Sequence, residues 1–160
     1  MPRAKKAAFD YNKNPWYFRG QPFTQDDVGS YAGFVYLITE MSTGKMYVGK
    51  KFFHGMRKQK GKTRRSKVGS DWEKYFGSCK ELQERVKEFG PDNYKREILS
   101  LHTLKRDVNF NEVREQWIRN VLDEVDADGN FRYFNDNIAG RWFKSLVSGW
   151  RERSQLHNEP

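Results

Sequence analysis

The net charge of this chain is concentrated in one stretch. Residues 50–67 (KKFFHGMRKQKGKTRRSK) hold nine Lys and Arg and no acid, whereas the other 142 residues hold 21 basic and 21 acidic side chains. A solvated face mixes both signs; a one-sign block concentrates a positive field suited to polyphosphate. Such runs also occur as solubilising loops and localisation signals. Lys50, Lys51, Lys58, Lys60, Lys62, Arg64, Arg65 and Lys67 are therefore candidate contacts to a nucleic-acid backbone. On either side of the run stand groups that could work on a phosphodiester. That chemistry needs a positioned nucleophile, stabilisation of charge on the phosphate, and help for the leaving oxygen. Tyr36 and Tyr47 could orient water or accept its proton, although tyrosines also favour strands for packing alone. Arg57 offers a fixed fork of donors for the phosphate. Glu112 and Glu115 are candidate ligands for a hard cation such as Mg²⁺, or ordinary helix-surface acids. Asn135 and Asn137 could bind phosphate or serve a turn.

Other chemistries find less support. Asp126, Asp128 and Gly129 suggest an EF-hand loop, but counting from Glu124 puts Asn135 where the bidentate Glu belongs, so DADGN reads as a hairpin-type turn. His54, His102 and His157 have no metal-ligand spacing. Cys79, the single cysteine, has no partner for a disulfide or a thiolate zinc site, and a reducing, cytoplasmic setting is expected. No apolar run reaches the ~20 residues of a membrane span, and no signal-peptide stretch is expected.

The elements that must position these side chains are short. At 160 residues, 36% hydrophobic and 16% aromatic, the chain is expected to form one domain around a small core built on rings. GFVYLITE and KMYVGK, joined through Ser42-Thr43-Gly44, predict an antiparallel hairpin carrying Tyr36 and Tyr47. The basic run follows as a loop or irregular helix. Ser70 and Glu73 have capping-box spacing. KELQERVKEFG places Leu82, Val86 and Phe89 on one helical face, with Gly90-Pro91 as the stop. NYKREILSL predicts a third strand. NFNEVREQWIRNVLDE predicts a second helix, with Val113, Trp117 and Val121 on one stripe and Ile118 and Leu122 beside it. The fold class is α/β (α+β): a small, mostly antiparallel three-stranded sheet flanked by helices. Residues 1–30 are expected to be an extended arm, 31–143 the domain, and 144–160 a short frayed tail. No strand leads into a Gly-rich helix start, so a Rossmann fold is excluded.

Taken in order, these residues resemble a known pattern. Gly33-Phe34-Val35-Tyr36, followed eleven residues after Tyr36 by Tyr47-Val48-Gly49, resembles the paired strands that name the GIY-YIG endonuclease superfamily. Arg57 stands at a spacing similar to that of the family's phosphate-binding arginine. YFGSCKELQERVKEFGPDNYKREIL resembles the middle section of phage-type, homing-endonuclease-like members. Glu112-Val113-Arg114-Glu115-Gln116-Trp117 is similar to their catalytic-helix pattern, and Tyr133-Phe134-Asn135 to their aromatic–Asn element. The resemblance implies a divalent-metal-dependent endonuclease acting on DNA, associated with a phage or mobile element and working in the host cytoplasm. It further implies that Tyr36 and Tyr47 position or deprotonate the attacking water, and that Glu112 holds one Mg²⁺ (or Mn²⁺). Arg57 would stabilise the charge on the phosphate, and Asn135 would complete the site. Phe34 and Val48 replace the usual isoleucines. Position 61 is Gly where many members have His or Tyr shortly after the arginine, a role open to Lys51 or Tyr75. Glu115 competes with Glu112, and Asn137 with Asn135. Trp16, Tyr17, Trp72 and Tyr75 could stack on exposed bases or pack in the core. Two other classes remain: a non-catalytic nucleic-acid-binding module that kept the fold, and a protein-interaction module docking through Pro15–Phe23.

Overall fold

GFVYLITE is a nearly unbroken apolar run, as expected of a strand covered on both faces, and it lies inside a five-stranded sheet. The computed structural model describes residues 13–58 and 60–157, without the side chains of Arg57, Lys58, Arg65 and Ser66. The basic start MPRAKKAAF lies outside the described residues. The first strands are β1 (Trp16–Phe18), β2 (Gln21–Phe23), β3 (Gly33–Glu40) and β4 (Met46–Phe52). A separate hairpin follows, β5 (His54–Lys58) and β6 (Arg65–Gly69). Then come α1 (Lys80–Phe89), β7 (Tyr94–His102) and α2 (Lys105–Ile118). The C-terminal pieces are β8 (Asn137–Ile138), β9 (Trp142–Phe143), α3 (Lys144–Val147) and α4 (Trp150–Arg153).

The sheet order is β2-β1-β7-β3-β4, with β1 parallel to β7 and the other pairs antiparallel. The expected strands β3, β4 and β7 are present, but the sheet has five strands, not three. The two additional strands come from NPWYFRGQPF. Arg19 and Gly20 have φ of 50° and 78°, which makes a two-residue hairpin turn whose twist suits the flanking strands. Pro22 sits on the edge strand β2, where its missing N–H is tolerated.

Each face of the sheet has its own core. Phe34, Tyr36 and Ile38 point to one side, against Trp16, Trp72 and Leu82. Val35 and Val48 point to the other, against Val121, Leu122 and Ile138. Between Val35 and Tyr36 the β3–β7 register shifts, so that Leu99 and Ser100 take the place of one residue. This bulge lies beside Tyr36, where it can re-aim a side chain. Glu40, fully buried, accepts hydrogen bonds from Arg85 Nε and Nη2, Tyr94 Oη and Thr43 Oγ1, each 2.7 Å, and so ties α1 to the sheet. Those donors hold its pKa down at about 2, with Arg85 the main cause.

Several expectations are corrected. The basic run forms the β5–β6 hairpin rather than a loop or helix. Extended backbone spaces its like charges at ~3.3 Å per residue instead of ~1.5 Å. On α1, Leu82 and Val86 are buried, but Phe89 is exposed under Arg85. On α2 the buried side chains are Val108 and Gln116, while Trp117 and Ile118 are 48% and 59% exposed. Asn120, at φ 50°, ends the helical path, and only then do Val121 and Leu122 turn into the core. Residues beyond 143 are not frayed throughout: Trp150 Nε1 donates to Asp123 at 3.2 Å. No helix among the described residues is long and apolar enough to cross a membrane.

Candidate active site

β4 is an edge strand, and the C-terminal half of the chain covers its outer backbone stepwise. Met46 N–H donates to the Arg132 carbonyl at 2.8 Å, and Phe134 N–H to the Met46 carbonyl at 2.7 Å. One step on, Val48 N–H donates to Asn135 Oδ1 at 3.0 Å, and Asn135 Nδ2 returns a bond to the Val48 carbonyl at 2.8 Å. Gln116 Nε2 reaches the same carbonyl at 3.2 Å. A further step along, the Glu112 carboxylate meets the Lys50 backbone and lies 3.3 Å from Lys50 Nζ. The result is a cleft of about 220 Å³ lined by Tyr47, Ser78, Glu112, Gln116, Asn135 and the turn from Asp136 to Gly140.

Two phenols lie at one wall. Tyr36 is fully buried, 6.2 Å from the Tyr47 ring and edge-on to Tyr75 at 6.0 Å. Glycine makes room for both. A Cβ on Gly49 would lie 2.4 Å from Tyr36 Oη, and one on Gly77 would lie 3.1 Å from the Tyr47 ring. Gly77 also has φ +90°, where other residues are strained. Burial pushes the Tyr36 hydroxyl far above its ordinary pKa and that of Tyr47 to about 12, with Ser78 Oγ, 3.1 Å from Tyr47 Oη, opposing the latter shift. At neutral pH both are uncharged phenols, and Tyr47 is the one lining the cleft.

The two glutamates differ. Burial raises the Glu112 pKa, and Lys50 partly offsets the rise. Glu115 lies outside the lining, held by Arg119 at 3.0 Å and Arg114 at 3.5 Å. Both asparagines line the cleft. Asn135 is buried with its polar atoms on Val48, whereas Asn137 bonds Asp136 Oδ1 at 2.7 Å and accepts from Gly140 N–H at 3.0 Å. Lys51 and Tyr75 stand together: the ammonium is 4.0 Å from the ring centroid and 2.7 Å from Asp71. The backbone of Arg57 pairs with Ser66 in the basic hairpin, but its side chain, like those of Lys58 and Arg65, lies outside the described residues. Lys60, Lys62, Arg64 and Lys67 are exposed there. Trp16 and Trp72 are core residues, joined by a bond from Trp16 Nε1 to the Trp72 carbonyl at 2.8 Å, so neither is free to stack on a base.

Gln116, Ser78 and Asp136 were not singled out from the sequence. Gln116 had a signal, because i+4 from Glu112 is the same helix face. Among the described residues no three His, Cys, Asp or Glu side chains gather as a metal site. The donors present do fit one hard cation. Glu112 supplies a carboxylate, and Gln116 Oε1 is a buried oxygen without a hydrogen-bond partner. An all-oxygen set of this kind suits an ion that keeps most of its waters.

The family model described as "Putative endonuclease segE, GIY-YIG domain" matches residues 16–138, from β1 to the end of β8. No curated protein and no solved structure matches the chain.

Proposed function

The chain belongs to the GIY-YIG endonuclease superfamily, and from that premise we propose that it is a divalent-metal-dependent endonuclease hydrolysing phosphodiester bonds in DNA, of the kind carried by phages and mobile elements. The observation that carries the reading is convergence. Tyr47, Glu112 and Asn135, from three separate segments, line one cleft at the edge of β4, and the chain runs from β4 directly into the basic hairpin.

In this reading Glu112, with Gln116 one turn away, holds one Mg²⁺ or Mn²⁺. When bound, such an ion polarises the phosphate and eases departure of the 3′ oxygen. The Tyr47 hydroxyl, in contact with Ser78, orients the attacking water, and Tyr36 supports it from beneath. Arg57 stabilises the charge on the phosphate. Asn135 fixes the Val48 backbone, and with it the direction of Tyr47. Supercoiled plasmid nicking tests this. Wild type is expected to nick with Mg²⁺ and to stop with EDTA. Glu112→Ala is expected to fall to background while still binding DNA, and Glu115→Ala to keep its activity.

A second reading is a nucleic-acid-binding module without catalysis. It is favoured by the Lys50–Glu112 pair, in which the chain's own cation occupies the carboxylate a metal would need. Binding without cleavage in Mg²⁺, in Mn²⁺ and on branched substrates would establish it.

A further inference from the structure

A second cavity, of about 350 Å³, opens where the base of the basic hairpin meets the start of α2. His54 from β5, Lys67 from β6 and Lys105 from α2 all line it, and neither Asp nor Glu does. The three are near enough to repel one another: Lys67 and Lys105 both oppose protonation of His54, after burial as the larger cause. Their situation differs from that of Lys50 and Lys51, which are matched to Glu112 and Asp71. Among the described residues no ion pair joins an acid to His54, Lys67 or Lys105. Three basic groups from three elements, brought into one concavity without an acid, form a site for an anion. Ser30 and Thr103 add hydroxyls to the lining.

The position of this cavity indicates which anion. α2 runs alongside β4, with Gln116 at Val48, Glu112 at Lys50, and Lys105 over the Phe52 ring at 5.3 Å. Lys105 and Glu112 are seven residues apart on one helix, which is ~10.5 Å along its axis. Successive phosphates of a DNA strand advance ~3.4 Å along the duplex, so for a strand laid along α2 the cavity lies ~three nucleotide steps from the cleft. We propose that His54, Lys67 and Lys105 form a phosphate subsite that seats one backbone phosphate of the substrate strand about three nucleotides from the bond being cut. The proposal rests on the nuclease reading and adds His54 and Lys105 to the nucleic-acid contacts. Its role is registration: a phosphate held here fixes which bond reaches Glu112 without reading any base.

The test is oligonucleotide binding by the full chain in metal-free buffer, measured by fluorescence anisotropy across a salt series, for wild type, Lys67→Gln/Lys105→Gln and Lys67→Arg/Lys105→Arg. The glutamine pair is expected to weaken binding about tenfold at moderate salt and to flatten the log–log salt slope by ~1–2. The arginine pair is expected to behave as wild type. A single uncharged methylphosphonate walked along the strand is expected to weaken wild type most near the third step from the cut, and to make no difference there to the glutamine pair. Unchanged affinity and slope in the glutamine pair would overturn the subsite. So would inorganic phosphate that shifts the His54 ring resonance while oligonucleotide binding ignores the substitutions, since that marks a free-anion site. If wild type binds DNA with the expected response to the substitutions and to salt but never cuts, the nuclease reading fails, and with it the three-nucleotide register, while the three residues stand as a backbone-phosphate contact.

Discussion

Burial pushes the Glu112 pKa up while Lys50, 3.3 Å away, pulls it down. The carboxylate must be ionised to hold a cation, so kcat/KM of the nicking reaction is expected to fall, as pH is lowered, through a pKa above the ordinary carboxylate range. Lys50→Met removes the opposing charge and is expected to move that acid limb to higher pH, as read from the full pH–rate profile. Tyr47, raised to about 12, stays protonated throughout and is expected to leave no inflection near neutrality. The residues alone did not separate Glu112 from Glu115, because both are helix acids near the same apolar residues, and only the family resemblance favoured Glu112. The difference arises from packing: Arg119, one turn beyond Glu115, pairs with it, while Glu112 faces β4. Gly49 was legible as part of the YVG run, but its reason is the phenol above it. Gly49→Ala puts a methyl 2.4 Å from Tyr36 Oη and 2.6 Å from its Cζ. It is expected to cost ~1–3 kcal/mol in urea denaturation and to displace both tyrosines.

At the scale of elements, the site depends on how β4's edge is covered. Asn135→Ala would leave the Val48 N–H without its acceptor and the carbonyl with only Gln116. A buried unsatisfied group costs ~1–3 kcal/mol. A thermal melt is expected to show that loss. The long strands β3, β4 and β7 were legible because each is a run of β-forming residues closed by a turn. The β1–β2 pair was not, since three-residue strands have too few positions to show a period. α2 misled for a different reason: Trp117 and Ile118 lie on its apolar stripe yet are exposed, while the buried position is the polar Gln116, held by a backbone carbonyl. Composition cannot indicate that a polar side chain will serve as an edge cap.

At the scale of the whole molecule, a central sheet with a core on each face is pinned across its layers by Glu40. Its folded pKa of about 2 lies below the ordinary 4.5. Ionised Glu40 therefore contributes stability that is complete above the ordinary value and is lost as pH falls towards the folded one. The difference is on the order of 3 kcal/mol. Denaturant midpoints followed from pH 5 down to pH 2 are expected to drop for wild type, and to drop less for Glu40→Gln from an already lower start. Neither the layers nor this buried pair was legible from the sequence, because Arg85 and Glu40 are 45 residues apart.

The covered edge of β4 also has a consequence for the order of synthesis. A ribosome delivers Tyr47 early and Glu112 much later, and Asn135, which closes the strand, follows both. Until that last segment emerges, the nascent chain has its basic segment but no finished cleft. A growing polypeptide therefore carries its positive charge before the proposed cleft is closed, and the cell translating it meets the finished site only after Asn135 has emerged.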